Sequence, residues 1–367
     1  METPSEQPDP DQGEIVSPQL VHETAESKPP RARRSGLRLL VFFLLLLGLP
    51  ILIVVGLGVG VASTLSISSS SLTEQNYLSR RWKGDKKIAI VRVEGTIISG
   101  TGFVKQQIEK VIKDEDVVAV VLRVNSPGGT ITGSDYILHH LQEMRKERAS
   151  DGDDLPMVVS MGSLAASGGY YVSMAIGDTP DSIFAEPTTW TGSIGVIIPH
   201  YNMQGLLEDW KIEEDSIASH RLKGMGGIAR QMTEEETAIF QQLVDESFDR
   251  FKSIILKGRP NLTEEKLNEL ATGQVYTTKQ ALANGLVDKE GFLEDAIVRA
   301  IQLAGLTDED VRVVEYKTQP TLLEVMLARA QQPSSELQLL LDLTTPRAYY
   351  LCTWLPGATS RQWREAR

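Results

Sequence analysis

Met161-Gly162-Ser163-Leu164-Ala165-Ala166-Ser167-Gly168-Gly169-Tyr170-Tyr171 sets one serine among small residues, between an apolar run and a helix-like stretch. Upstream, Pro156 to Met161 reads as a short buried strand. Downstream, Tyr170 to Ile176 has the small and apolar content of a helix, so Ser167 falls on the turn between them. A hydroxyl at such a turn is presented to a ligand. Glycines beside it let a carbonyl approach the backbone, and free N–H groups at a helix start can stabilise a developing oxyanion. Two readings stay open at this point, a nucleophile and an ordinary helix-capping serine, since Ser is among the commonest N-caps.

Outward from this turn, Lys87 to Val93 (KIAIVRV) reads as a strand, Thr101 to Lys113 carries apolar residues at helical spacing, and Val117 to Val124 (VVAVVLRV) is a second, continuously apolar strand. Tyr136 to Arg148 is another amphipathic helix. Strands alternating with helices predict β-α-β units and a mainly parallel, buried sheet. Ligands of such sheets lie beyond the carboxyl ends of the strands, so Pro127-Gly128-Gly129 and Ser167 are expected to face one cleft. Thr233 to Leu256 reads as a long helix, with a cap-like threonine, an acidic first turn, and Phe240, Leu243, Val244, Phe248, Phe251 and Ile255 at helical spacing. Shorter helices are expected over Thr263 to Leu270, Lys279 to Ala283 and Glu290 to Ala304.

The chain has 367 residues and a formal net charge of −12. No basic stripe marks its globular part, and nucleic acid is not expected as a partner, because binding it takes clustered cations that displace counterions. Cys352 is the only cysteine, so no intrachain disulfide forms and redox chemistry does not indicate a compartment. Lying in an apolar stretch without a clear base, it reads as a packed thiol. Residues 1–36 have the acidic, Pro- and Ser-containing composition of a disordered tail. Arg31, Arg33, Arg34 and Arg38 then flank the uncharged run Leu39 to Ala62, and residues 37–62 are expected to form a transmembrane helix.

A cleavable signal processed near Val61-Ala62-Ser63 would have an apolar region of about 7 to 15 residues. The run here is longer, so a retained anchor is expected, with the N-terminus cytoplasmic and the C-terminal part on the other side. Residues 63–85 read as a linker, 86–316 as one globular domain and 317–367 as a C-terminal extension. Within the extension, Leu322 to Ala330 and Leu337 to Leu341 could be helices. The apolar stretch Tyr349 to Pro356 is too short to cross a membrane and must pack on something. Its own domain is the expected site, ahead of a neighbour's cleft or lipid.

Further motifs accompany the serine segment. Asn125-Ser126-Pro127-Gly128-Gly129 follows the Val117 strand, and Thr191-Gly192-Ser193-Ile194-Gly195-Val196 follows Ser182-Ile183-Phe184-Ala185. Lys223 lies in Leu222-Lys223-Gly224-Met225-Gly226-Gly227, and Val275-Tyr276-Thr277 and Ala283-Asn284-Gly285-Leu286-Val287-Asp288 come later. In this order, over about residues 86 to 305, the set resembles the signal peptide peptidase A family of Ser-Lys membrane-associated peptidases, in its single-length form. No tandem repeat suggests the double-length form.

The resemblance implies an α/β fold of the ClpP/crotonase-like type, a spiral of β-β-α units, here preceded by the single N-terminal transmembrane helix. It implies a serine endopeptidase that cleaves remnant signal peptides or other membrane-associated peptides through an acyl-enzyme, without metal or cofactor. It also implies a bacterial inner-membrane protein with its catalytic domain on the periplasmic side, and a ring-like homo-oligomer, expected as an octamer, in which the serine of one protomer meets the lysine of its neighbour. Ser167 takes the nucleophile's place and Lys223 that of the base. Ser193 would orient the lysine, and the N–H groups of Gly128 and Gly168 would form the oxyanion hole. A few residues around Gly177 to Asp181 enlarge a loop relative to the family's spacing.

The chemistry sets conditions on this assignment. An alcohol near neutral pH needs a base within hydrogen-bond reach, and a lysine serves only when its amine is neutral, which requires removal from water. The five histidines supply the competing base. His22 falls on the cytoplasmic side, His139 and His140 on a helix, and His200 and His220 read as surface or structural residues. The alternative functions are a crotonase-like CoA-ester enzyme, for which no acidic catalytic pair is recognisable, and an inactive membrane-tethered scaffold.

Overall fold

A computed structural model describes residues 72–77, 84–149, 152–318 and the backbone of 349–351, all in the second of the two units into which the chain divides. The tail 1–36, the span expected at 37–62, the helices expected at 322–330 and 337–341, and Cys352 lie outside the described residues. Among the described residues no helix is long and apolar enough to cross a membrane.

Strand β1 (Leu72–Asn76) leads to β2 (Lys86–Glu94), α1 (Phe103–Lys113) and β3 (Val117–Ser126). A short β4 (Gly128–Thr130) runs straight into α2 (Ile131–Glu147), where Thr130 caps the helix by accepting the N–H of Gly133 at 3.1 Å. Next come β5 (Met157–Ala166), α3 (Gly168–Ser173), β6 (Ile183–Ala185), β7 (Trp190–Gly192) and α4 (Gln204–Asp209). The long α5 (Glu234–Gly258) precedes α6 (Glu264–Leu270), β8 (Val275–Thr277), α7 (Thr278–Ala283), β9 (Lys289–Glu290), α8 (Leu293–Leu303) and β10 (Val311–Thr318). The last described element is β11 (Tyr349–Leu351).

The main sheet runs β1-β10-β2-β3-β5-β6-β9, with β7 added beside β5 and β8 beside β7. From β10 to β9 every neighbouring pair is parallel, as the continuously apolar strands demand. Alternate residues serve opposite faces: Ala89, Val91, Val93, Val120, Leu122 and Val124 join the core beneath α1, α2 and α3, whereas Ile88, Ile90, Ala119 and Val121 pack against α8. The expectation of a mixed α/β domain with a parallel-rich sheet therefore holds. Leu72–Asn76, placed by composition in the linker, is instead an edge strand antiparallel to β10. Ordering of this polar segment comes from its partner strand, and its burial is only partial.

Two departures from a plain sheet make the site. Strand β5 pairs first with β6, through Val159, Ser160 and Met161, and then with β7, through Leu164, Ala165 and Ala166. The strand therefore continues past Gly162 and carries the chain on to Ser167. On the neighbouring strand, β3 breaks register between Val124 and Ser126 and turns at Pro127 into β4. Ile97 holds one edge of β4, donating to the Gly128 carbonyl at 2.8 Å and accepting from the Thr130 N–H at 2.7 Å. The fit admits no side chain at position 129, where a Cβ would lie 1.9 Å from the Ile97 carbonyl oxygen. Gly129→Ala is expected to lower stability by about 1–3 kcal/mol, the usual cost of forced overpacking. An unchanged thermal midpoint would show that the Ile97 loop yields freely.

Candidate active site

Ser167 stands where β5 ends and α3 begins, with φ 55 and ψ −116. This backbone is strained for a residue with a Cβ, and such strain concentrates at functional turns. The turn is held from both sides, since the Ser167 N–H donates to the Gly192 carbonyl at 2.7 Å and its carbonyl accepts from the Tyr171 N–H at 2.9 Å. Ser167 is thus the N-cap of α3 by position, but its side chain makes no capping bond. It is 1% exposed, and its Oγ has no hydrogen-bond partner. An ordinary capping serine would satisfy a helix N–H. This hydroxyl is held in reserve.

Ala166 pairs with Gly192, so the next residue on each strand, Ser167 and Ser193, stand side by side at the ends of β5 and β7. Ser193 is also buried and also has a positive φ, of 50, and its N–H is tied to the Gln274 carbonyl at 2.7 Å. The enlarged loop at Gly177–Asp181 precedes β6 and leaves this register intact.

Gly168 opens α3, so its N–H has no acceptor within the helix. A Cβ on Gly168 would meet the Gly128 Cα at 3.1 Å and the Gly129 nitrogen at 3.2 Å, which brings the two glycine turns into contact beside Ser167. Gly128 has φ 94, and its N–H donates to Ser126 Oγ at 3.1 Å, while Ser126 Oγ donates to the Gly95 carbonyl at 2.6 Å. Of the two expected oxyanion donors, Gly168 is therefore free of the helix and Gly128 is engaged by a side chain.

Lys223 is exposed, on a single 3-10 turn (Arg221–Gly224) ahead of α5, and its Nζ makes no hydrogen bond or ion pair among the described residues. The structure does not bring it to Ser167 by a hydrogen bond within the chain. The histidines do no better. His139 and His140 pack together on α2 with ring centroids 5.2 Å apart, the His200 Nε2 lies 3.4 Å from the Gly227 carbonyl oxygen, and His220 Nδ1 accepts the Leu222 N–H at 3.3 Å. None of these contacts is with Ser167. Among the described residues no group of three or more His, Cys, Asp or Glu could hold a metal ion.

The turn bearing Lys223 has a fastening that sequence reasoning missed. The Arg230 guanidinium reaches the Gly224 carbonyl at 3.2 Å and the Glu236 carboxylate at 2.5 and 2.9 Å. Glu236 also accepts the Thr233 N–H at 3.0 Å, completing the capping box that starts α5, and Arg221 pairs with Glu235. The lysine turn is thereby anchored to a helix start. Spacing reveals the Thr233–Glu236 box, but the arginine that joins it emerges only from the folded loop. Arg230 and the Thr233 N–H hold the Glu236 carboxyl down at about 2, from an ordinary 4.5. A carboxyl so depressed stabilises the fold fully above its unfolded value and loses that contribution as pH falls from about 4.5 towards 2. Acid is therefore expected to loosen the start of α5, and Glu236→Gln to flatten this part of the profile of thermal midpoint against pH. Identical wild-type and variant profiles would rule the clasp out.

Comparison with known proteins bears on a site of this form. Residues 149–307 match the model of peptidase family S49. A chain bearing the signal peptide peptidase SppA name in Enterococcus faecium is 36% identical over 266 residues, which cover 69% of this chain and 73% of the relative. The chain belongs to peptidase family S49. Protease 4 of Haemophilus influenzae is 33% identical over 64% of this chain, and the chloroplastic serine protease SPPA of Arabidopsis thaliana 29% identical over 67%. The match spans only 37% and 36% of those two relatives. The strand-turn-helix at Ser167, the Ser193 register and the α5 start all lie inside the region matched to this peptidase family.

Proposed function

We propose that this peptidase is a Ser-Lys serine endopeptidase of ClpP/crotonase-like spiral architecture, anchored by residues 37–62 in the bacterial cytoplasmic membrane with its catalytic domain outside the cytoplasm. The single observation that carries the proposal is the buried, unpartnered Oγ of Ser167 on a strained turn, beside the open N–H of Gly168. Ser167 Oγ attacks the scissile carbonyl, passing its proton to the neutral amine of Lys223. The oxyanion meets the N–H of Gly168, joined by that of Gly128 once it releases Ser126. Collapse breaks the C–N bond, the lysine protonates the leaving amine, and an ester on Ser167 remains. Water then attacks that ester with the lysine again as base, returning the serine and releasing the acid product. Ser193, level with Ser167 at the neighbouring strand end, orients the amine.

The substrates proposed are remnant signal peptides and similar membrane-associated segments, in keeping with the SppA name among relatives and with an anchor that holds the site near the bilayer. The exposed lysine turn and the buried serine favour a homo-oligomer in which neighbouring protomers complete each other's sites. A fluorophosphonate probe is expected to label the wild-type protein on Ser167 and to leave Ser167→Ala unlabelled. Equal labelling of both would remove the nucleophile assignment.

A further inference from the structure

The described part of the C-terminal extension is a strand, and its position is informative. Strand β11 pairs antiparallel with β4, setting Tyr349 opposite Thr130, Tyr350 opposite Gly129 and Leu351 opposite Gly128. Its backbone also approaches α2 and α3, the latter being the helix that starts immediately after Ser167. Strand β4 has one edge taken by Ile97, through the Gly128 carbonyl and the Thr130 N–H. Main-chain groups along a strand alternate in direction, so the N–H and carbonyl of Gly129 face the other edge, where Tyr350 is the partner. That edge adjoins the nucleophile, since Gly128 and Gly129 abut Gly168.

A peptide to be cut at Ser167 must lie extended past the same glycines. An exposed strand edge recognises such a peptide through main-chain bonds whatever its sequence. We propose that the chain's own C-terminal segment around Tyr349–Leu351 occupies the substrate strand of the peptidase site, as a tethered competitor that substrate must displace. This rests on Ser167 being the nucleophile. Residues 319–348 join β10 to β11 and can reach about 100 Å when extended, so the segment can leave the groove without disturbing the sheet. Tethering at an effective concentration on the order of 1 mM makes even a weak strand, of about 100 μM affinity, raise the apparent KM roughly tenfold. Because the competitor only excludes substrate, kcat at saturation is untouched.

Tyr350→Pro in the full chain tests this, since proline removes the N–H that faces the Gly129 carbonyl. The apparent KM for a fluorogenic peptide is expected to fall severalfold with kcat constant, and a synthetic peptide of residues 344–356 is expected to restore the wild-type KM competitively. Amide hydrogen exchange gives a readout independent of activity: the Gly129 N–H should be protected in the wild type and in Ser167→Ala, and exposed in Tyr350→Pro. Unchanged exchange at Gly129, or unchanged KM in a protein whose activity depends on Ser167, overturns the inference. Peptidase activity that persists in Ser167→Ala overturns the catalytic reading instead, and leaves the exchange result to decide whether the strand edge is occupied.

Discussion

Ser167→Ala is expected to slow peptide hydrolysis on the order of 10⁴-fold or more while leaving the folded domain as stable as before. The two halves of this expectation have separate causes. Activity falls because no other hydroxyl sits on the β5–α3 turn against the open N–H of Gly168. Stability holds because the Ser167 Oγ has no hydrogen bond to lose and α3 takes no side-chain cap from it. Alanine keeps the strained φ of 55, whereas glycine relaxes it. Ser167→Gly should therefore be as inactive as Ser167→Ala but more stable, by about 1 kcal/mol. A Ser167→Ala protein that melts several degrees lower would assign the serine a structural role. Lys223→Ala should lose nearly as much activity as Ser167→Ala, and the double variant no more, because nucleophile and base act as one unit. Ser193→Ala, removing only an orienting contact, should lose less.

How far the sequence discloses this molecule depends on whether a feature is local. Strands β2 and β3 were legible because Val, Ile and Leu fill them and both faces are buried. The Thr233 helix was legible from its cap and its apolar spacing. The Ser167 turn was legible because glycines and alanines mark it on both sides. Strand β1 was not, since Leu72-Thr73-Glu74-Gln75-Asn76 is polar and becomes a strand only through β10. Expectation ended β5 at Met161, because Gly162 reads as a breaker, yet the strand exchanges β6 for β7 there and continues to Ala166. The three residues of β7 and of β8 are too few for any periodicity, although their pairing brings Ser193 level with Ser167. Tyr349–Leu351 was apolar enough to demand a partner, but nothing in its composition names β4.

Mixed assemblies of Ser167→Ala and Lys223→Ala subunits, each inactive alone, are expected to recover about a quarter of wild-type activity. The figure follows from the proposed geometry: in a closed ring of head-to-tail contacts mixed one to one, about one junction in four joins an intact serine to an intact lysine. Within a single chain the requirements pull apart. Ser167 is buried, whereas Lys223 is exposed on a turn fastened by Arg230 to the start of α5. A lysine in water keeps its proton, so it becomes a base only when something covers it. The segment ahead of it is equipped for covering, since Tyr201, Trp210 and Ile217 are 65%, 70% and 100% exposed, and α4 buries no residue at all. Apolar side chains grouped on an exposed segment mark an interaction surface. A neighbouring protomer docked there would dry the lysine and complete the dyad in one step. Mixed assemblies verified by mass to contain both variants, yet as inactive as either parent, would place serine and lysine in the same chain.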